Sequence, residues 1–194
     1  MNTGTWPPLT CWLRTAEYSG AHMTQIKPGQ PEGPLSLNLI NGTNWTLSEQ
    51  DDVAHPWRMI VVYRGLHCPL CKKQLQELSG KLSDIADAGI SVVAATMEEK
   101  SRADKAHSDW ELGDLPVAYG VGADFVDEFG LFTSSAINDD EPDVFAEPAL
   151  LVFKGENYHM GWVQSVPFAR PALDDVIETI KFVEKKDYPP RGTR

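Results

Sequence analysis

The sequence has few cysteines, few cations for its anions, and no long apolar run. Of its 194 residues only Cys11, Cys68 and Cys71 carry thiols. Three cysteines are too few for a disulfide scaffold, and an odd number is unusual in a secreted one. Lysine and arginine number 17 against 28 aspartates and glutamates, a net charge of −11. A chain this acidic repels a phosphate backbone, which excludes nucleic-acid binding as its main task. The longest apolar stretches, residues 59–63 and 149–153, fall far short of the ~20 residues that a membrane-spanning helix needs. Residues 1–22 lack a basic start, an apolar stretch and a small-residue cleavage site, so no signal peptide is read there. The expectation is a cytoplasmic chain with no membrane association. In that compartment thiols stay reduced, and a Cys-x-x-Cys is catalytic or metal-binding rather than structural.

What is present is an ordinary globular composition, 42% hydrophobic, which excludes a disordered or fibrous protein. At about 150 residues per domain the length predicts one domain. Residues 1–25 read as an irregular arm, residues 26–186 as the domain, and residues 187–194 as a loose tail. Prolines and glycines crowd residues 27–34. Residues 35–40, the dipeptide Asn41-Gly42 and residues 44–47 read as a hairpin, and Ser48 is a candidate helix cap. Residues 58–63 are continuously apolar after Arg58, as in a strand covered on both faces. Behind Cys68 the apolar residues Cys71, Leu75, Leu78, Leu82 and Ile85 recur at helical spacing, and Gly89 is a stop signal. Residues 90–95 read as the next buried strand. Strand, helix and strand at this spacing make a βαβ unit with parallel strands. A charged surface helix at 98–110, a short helix at 122–129 and an acidic loop at 138–143 follow. A hairpin at 149–163 and a helix at 171–186 end the domain. The last helix carries the stripe Leu173, Val176, Ile177, Ile180 and Val183. The order predicts a mixed sheet with helices on both faces and a site at the end of the first central strand.

The chemistry concentrates in Tyr63-Arg64-Gly65-Leu66-His67-Cys68-Pro69-Leu70-Cys71-Lys72-Lys73. The strand ends near Tyr63 and the helix begins near Pro69. Cys68 therefore falls at the helix N-terminus, where free amides and the helix dipole stabilise a thiolate. Arg64, His67 and Lys72 add positive charge nearby. Cys71 lies one turn in and should be the more sheltered thiol. An exposed nucleophile and a sheltered partner are the parts of a dithiol–disulfide cycle. Zinc would need about four ligands, and the histidines show no metal spacing, so redox chemistry is favoured over a metal.

With these residues the sequence resembles the thioredoxin superfamily, and within it the alkyl hydroperoxide reductase/thiol-specific antioxidant branch, the peroxiredoxin-like proteins. Residues 26–29 leading into 35–47, residues 61–75 and residues 147–155 carry the likeness, which spans about 26–186. It implies an α/β, thioredoxin-like fold: a central mixed β-sheet flanked by helices, with an N-terminal β-hairpin extension. It further implies a cis Pro148 beside the cysteines, against the alternative of a trans proline starting a strand. Arg170 falls where peroxiredoxins place an arginine that supports the reactive cysteine, although a surface arginine before a helix would look the same. The family's Thr-x-x-Cys register makes Cys71 peroxidatic, whereas the thioredoxin register makes Cys68 the nucleophile. Exposure and helix position favour Cys68.

The function expected is reduction of hydroperoxides through a sulfenic acid and a Cys68–Cys71 disulfide, restored by a dithiol reductant such as a thioredoxin-type protein. No metal or organic cofactor is required. The alternatives are a thioredoxin-like disulfide reductase and a non-enzymatic redox-responsive binding protein. His67 is a candidate to tune the thiolate or donate a proton. Glu147 and the run 138–143 read more simply as solvated loop carboxylates, and Cys11 as a bystander. A homodimer is compatible with the resemblance, with the aromatic arm as a candidate contact.

Overall fold

Six consecutive buried residues make β3 (Trp57–Val62) the centre of the molecule. Side chains alternate across a strand, so Met59 and Val61 feed one core while Ile60 and Val62 feed the other. The computed structural model describes residues 25–32, 35–47 and 54–194. Cys11, Ser48 and nearly all of the expected N-terminal arm lie outside them.

Around β3 the described elements are β1 (Leu35–Asn38), β2 (Asn44–Leu47), α1 (Pro69–Gly80), α2 (Leu82–Asp87), β4 (Ile90–Ala95) and α3 (Lys100–Asp109). They continue with β5 (Val117–Ala118), α4 (Ala123–Glu128), β6 (Thr133–Ser135), β7 (Val144–Ala146), β8 (Ala149–Lys154), β9 (Asn157–Val163) and α5 (Leu173–Lys186). The main sheet has the order β5-β4-β3-β8-β9. β3 runs parallel to β4 and antiparallel to β8, so the sheet is mixed as the sequence predicts. Its parallel half comes from the βαβ crossover through α1 and α2. Its antiparallel half comes from the hairpin β8–β9.

One face is covered by α1, α2, α3 and α5, and the other by the β1–β2 hairpin and α4. The hairpin reaches the sheet edge through Ile40 N–H to Val117 O and Tyr119 N–H to Asn38 O, at 2.9 and 3.1 Å. The whole predicted stripe of α5 is buried. The helix expected to run unbroken to Gly89 is two helices. It breaks after Gly80, at Lys81 (φ −109°, ψ 9°), because glycine weakens a helix interior. β5, β6 and β7 were not expected, being too short or too polar to show a period. Among the described residues no helix is long and apolar enough to cross a membrane.

Trans peptide bonds hold throughout the described residues, so Glu147–Pro148 is not the cis bond expected. The chain passes in extended form from β7 to β8, with Glu147 N–H on Phe132 O at 2.7 Å and Gln164 N–H on Pro148 O at 2.9 Å. Both bonds fit an extended chain, and trans is the lower-energy isomer.

Ile180 is fully buried between α5 and the sheet. Ile180→Ala should cost about 2–5 kcal/mol in urea unfolding, and a loss below about 1 kcal/mol would show that α5 is not part of the folding core.

Candidate active site

The site is built where β3 ends. Tyr63 N–H still bonds Ala95 O at 2.9 Å, and the chain then turns through Gly65. Gly65 adopts φ 138°, and a Cβ there would run into the Glu98 carboxylate. Glu98 itself is buried. Its Oε2 accepts the Leu66 N–H at 2.9 Å and its Oε1 accepts Arg102 Nε–H at 2.7 Å. One carboxylate from the start of the α3 region thus fixes the loop that delivers the cysteines.

Cys68 is the N-cap of α1, in extended conformation, with Pro69 in the first turn. Its Sγ accepts the Cys71 N–H at 3.2 Å. The two cysteines are joined as a disulfide with a Cα–Cα distance of 5.2 Å. Cys68 is 2% exposed and Cys71 is fully buried. The expected contrast of an exposed and a sheltered thiol is therefore small, because α1 and the segment before α5 close over both.

Arg170 comes from that segment, as the resemblance implied. Its Nη2 points at Cys71 Sγ at 3.2 Å and Cys68 Sγ at 3.8 Å. Nε–H donates to Pro167 O at 3.0 Å, and Nη1 donates to Gln74 Oε1, so the fork is held on three sides. Burial and the charge of Arg64 pull the Arg170 pKa down to about 10, which leaves it cationic at neutral pH. A fixed cation against sulfur lowers a thiol pKa. Beside Arg170 a groove of about 300 Å3 runs between α1 and the segment carrying Phe168, with Leu70 and Phe168 exposed on its rim.

Arg64 does not face the sulfurs. Its Nη2 lies 3.4 Å from Glu141 Oε1, its Nε 3.6 Å from Glu147 Oε1, and its guanidinium 4.5 Å from the centre of the Phe145 ring. Pro148 is buried beside Glu147. The His67 ring packs on Phe145 at 4.8 Å, and burial holds its pKa below the usual imidazole value. Lys72 is half-buried and makes no ion pair with the sulfurs or these carboxylates. The basic cluster expected around the thiols is thus one aimed arginine, Arg170, and one neutralised arginine, Arg64.

Glu98, Glu141, Glu147 and Gln74 were missed or read as solvated. Glu98 and Arg102 look in sequence like a surface i,i+4 pair. Glu141 hides inside an acidic run. Glu147 is buried, with Ser134 Oγ–H donating to its Oε1 at 2.6 Å. Only its place next to Pro148 hinted at this. Among the described residues no group of three or more His, Cys, Asp or Glu is placed to hold a metal ion.

The profile of the AhpC/TSA family matches residues 28–157. No curated protein matches the sequence. Solved structures with the same fold include a peroxiredoxin-like protein from Aquifex aeolicus (TM-score 0.64, 12% identity, 82% of this chain and 88% of that one). Peroxidoxin BcpB from Mycobacterium tuberculosis matches with TM-score 0.64 and 15% identity over 82% of this chain and 98% of that one. AhpC from Enterococcus faecalis matches with TM-score 0.65 and 11% identity over 82% of this chain and 95% of that one.

Gly65→Ala should cost about 1–3 kcal/mol through backbone strain and move the Glu98 carboxylate. Thermal unfolding read beside thiol labelling of the reduced chain checks this. An alanine variant as stable as the wild type would show that the loop tolerates a side chain there.

Proposed function

Because the chain belongs to the AhpC/TSA family, we propose that Cys68 and Cys71 are its catalytic pair and that Arg170 activates them. The chain is a thiol-dependent oxidoreductase of the peroxidase type, with a Cys-x-x-Cys at disulfide distance. The observation that carries the assignment of roles is the Arg170 guanidinium, half-buried and aimed at both sulfurs. A thiolate at Cys71, the nearer sulfur, attacks the hydroperoxide and becomes a sulfenic acid. Cys68 condenses with it, releasing water and forming the disulfide. A dithiol reductant of thioredoxin type then attacks Cys68, the marginally less buried sulfur, and Cys71 leaves as the thiolate that Arg170 stabilises. This ordering departs from the preference for Cys68 as first nucleophile, since both sulfurs are buried and Arg170 lies nearer Cys71.

The supporting residues take graded roles. Arg64 anchors Glu141 and Glu147 behind the loop, Pro148 fixes Glu147 at the head of β8, and His67 is the nearby proton carrier. Lys72 contributes only general positive potential. The working unit is residues 26–186, in the cytoplasm, with a homodimer compatible with the fold. No metal or organic cofactor enters the cycle.

Peroxide consumption by the purified chain, with dithiothreitol or a thioredoxin as donor, tests this. Turnover is expected and should vanish in Cys71→Ser. Cys68→Ser should form a trappable sulfenic acid and stall. Arg170→Gln should slow the peroxide step on the order of 10²-fold. Rapid insulin reduction without peroxide turnover would instead assign the pair to disulfide reduction.

A further inference from the structure

The turn before α5 is stiff. Pro167 and Pro171 fix φ on either side of Phe168-Ala169-Arg170. Ala169 between them takes φ 51°, a left-handed conformation that residues other than glycine rarely adopt. The Arg170 Nε–H returns to Pro167 O at 3.0 Å and closes the turn. Within it Arg170 is half-buried and reaches Cys71 Sγ at 3.2 Å and Cys68 Sγ at 3.8 Å. Phe168, two residues earlier, is 63% exposed.

Single exposed apolar side chains are ordinary, but Phe168 is not single. Across the groove of about 300 Å3 stands Leu70, exposed in the first turn of α1 between the two cysteines. Pro167 and Pro171 continue the apolar lining, and Arg170 and Gln74 supply polar groups at one side. The guanidinium that touches both sulfurs therefore also lines the groove. Size and lining together select an occupant. About 300 Å3 is the lower end of small-molecule sites, whereas a stable protein partner covers roughly 800 Å2 on each side. At the ~30 Å3 that one water fills, the groove holds about ten non-hydrogen atoms. Apolar walls favour an organic group, and the cation favours an oxygen that becomes negative during reaction. A hydroperoxide with a compact organic group has both parts. Hydrogen peroxide has only the second.

We propose that Leu70 and Phe168 are specificity-determining residues that hold the organic group of a hydroperoxide while its oxygens meet Arg170 and the sulfurs. The inference rests on the peroxidase reading above and adds a preference: a compact aromatic or branched hydroperoxide over hydrogen peroxide. The thiolate takes the terminal hydroxyl oxygen and the O–O bond breaks. Sulfur is oxidised to a sulfenic acid and the peroxide is reduced. The other oxygen leaves as an alkoxide beside Arg170, takes a proton from solvent and departs as an alcohol. Apolar contacts to the organic group are the same before and during this step, so they act through KM rather than kcat.

The test compares kcat/KM for cumene hydroperoxide and hydrogen peroxide, with dithiothreitol as donor. Cumene hydroperoxide should be preferred on the order of tenfold. Phe168→Ala should remove most of that preference by raising KM for cumene hydroperoxide, and Leu70→Ala should lower it in the same direction. Phe182→Ala, which removes a similarly exposed phenylalanine from α5, should leave the preference as in the wild type. Equal kcat/KM for both peroxides in the wild type overturns the proposal and leaves the peroxidase reading in place. A Phe168→Ala chain that keeps the preference also overturns it, and slower reduction of that chain by a thioredoxin would assign the groove to a protein partner instead. Binding is read separately, by NMR titration of the oxidised chain with cumyl alcohol, the product of the reaction, which should shift the Leu70 and Phe168 signals. A chain that binds the alcohol there but consumes neither peroxide overturns the peroxidase reading and leaves the groove as a site for an organic group.

Discussion

The contact between the Arg170 guanidinium and the two sulfurs is the constraint that the rest of the site serves. Arg170 and the cysteines are about a hundred residues apart in sequence, and only the sheet order brings them together. β3 delivers the cysteines from the centre, and β8 and β9 lie on its antiparallel side. The chain leaving β9 therefore returns over the N-terminus of α1 before α5 begins. Arg170 stands in that return, held by Pro167 O and Gln74 so that its remaining donor faces sulfur. A longer connection or an unanchored α5 would leave the guanidinium in water, where its effect on a thiol falls with the dielectric.

Charge in this protein is arranged by depth rather than by sum. The net charge of −11 sums over the whole chain, buried and exposed groups alike. Beneath the surface, Arg64 and the carboxylates of Glu98, Glu141 and Glu147 meet around the active-site loop. Glu98 holds the loop backbone, while Glu147 and Glu141 flank Arg64. Buried charges persist only when paired or hydrogen-bonded. Here the pairing also orients Arg64 away from the sulfurs. The site so keeps a single directed cation without accumulating positive charge that would have to be desolvated.

Much of this was legible in the sequence where periodicity or a motif carried it. The five apolar residues of α5, the apolar run Met59–Val62 inside β3 and the Cys-x-x-Cys at a helix start all reflect local patterning, although β3 begins and ends one residue earlier than the strand read at 58–63. Arg170 was legible only through the family likeness, because an arginine before a helix has no local signature. Of the carboxylates only Glu147 gave a hint, through its place before Pro148. Glu98 and Glu141 sit among other acidic residues, and only the tertiary fold decides which one turns inward. The trans Pro148 marks the limit of analogy. The X-Pro dipeptide survives in the sequence, but β7 feeds β8 directly, and an extended chain there has no need of the rarer isomer.

The spacing of the two cysteines has a consequence for how the pair cycles. Cys68 at the N-cap and Cys71 three residues on bring their Cα atoms to 5.2 Å, within the range a disulfide spans, while α1 keeps its first turn and its cap bond. In the disulfide form the first turn of α1 is thus intact and Arg170 stands against both sulfurs. In the oxidised state that half-buried cation faces a neutral disulfide, and in the reduced state it faces a thiolate. The reduced form gains an interaction that the oxidised form lacks, and stabilising the reduced form makes a disulfide the stronger oxidant. In the proposed cycle the same guanidinium would raise the thiolate fraction that meets peroxide and, by stabilising the reduced form, favour return from the disulfide.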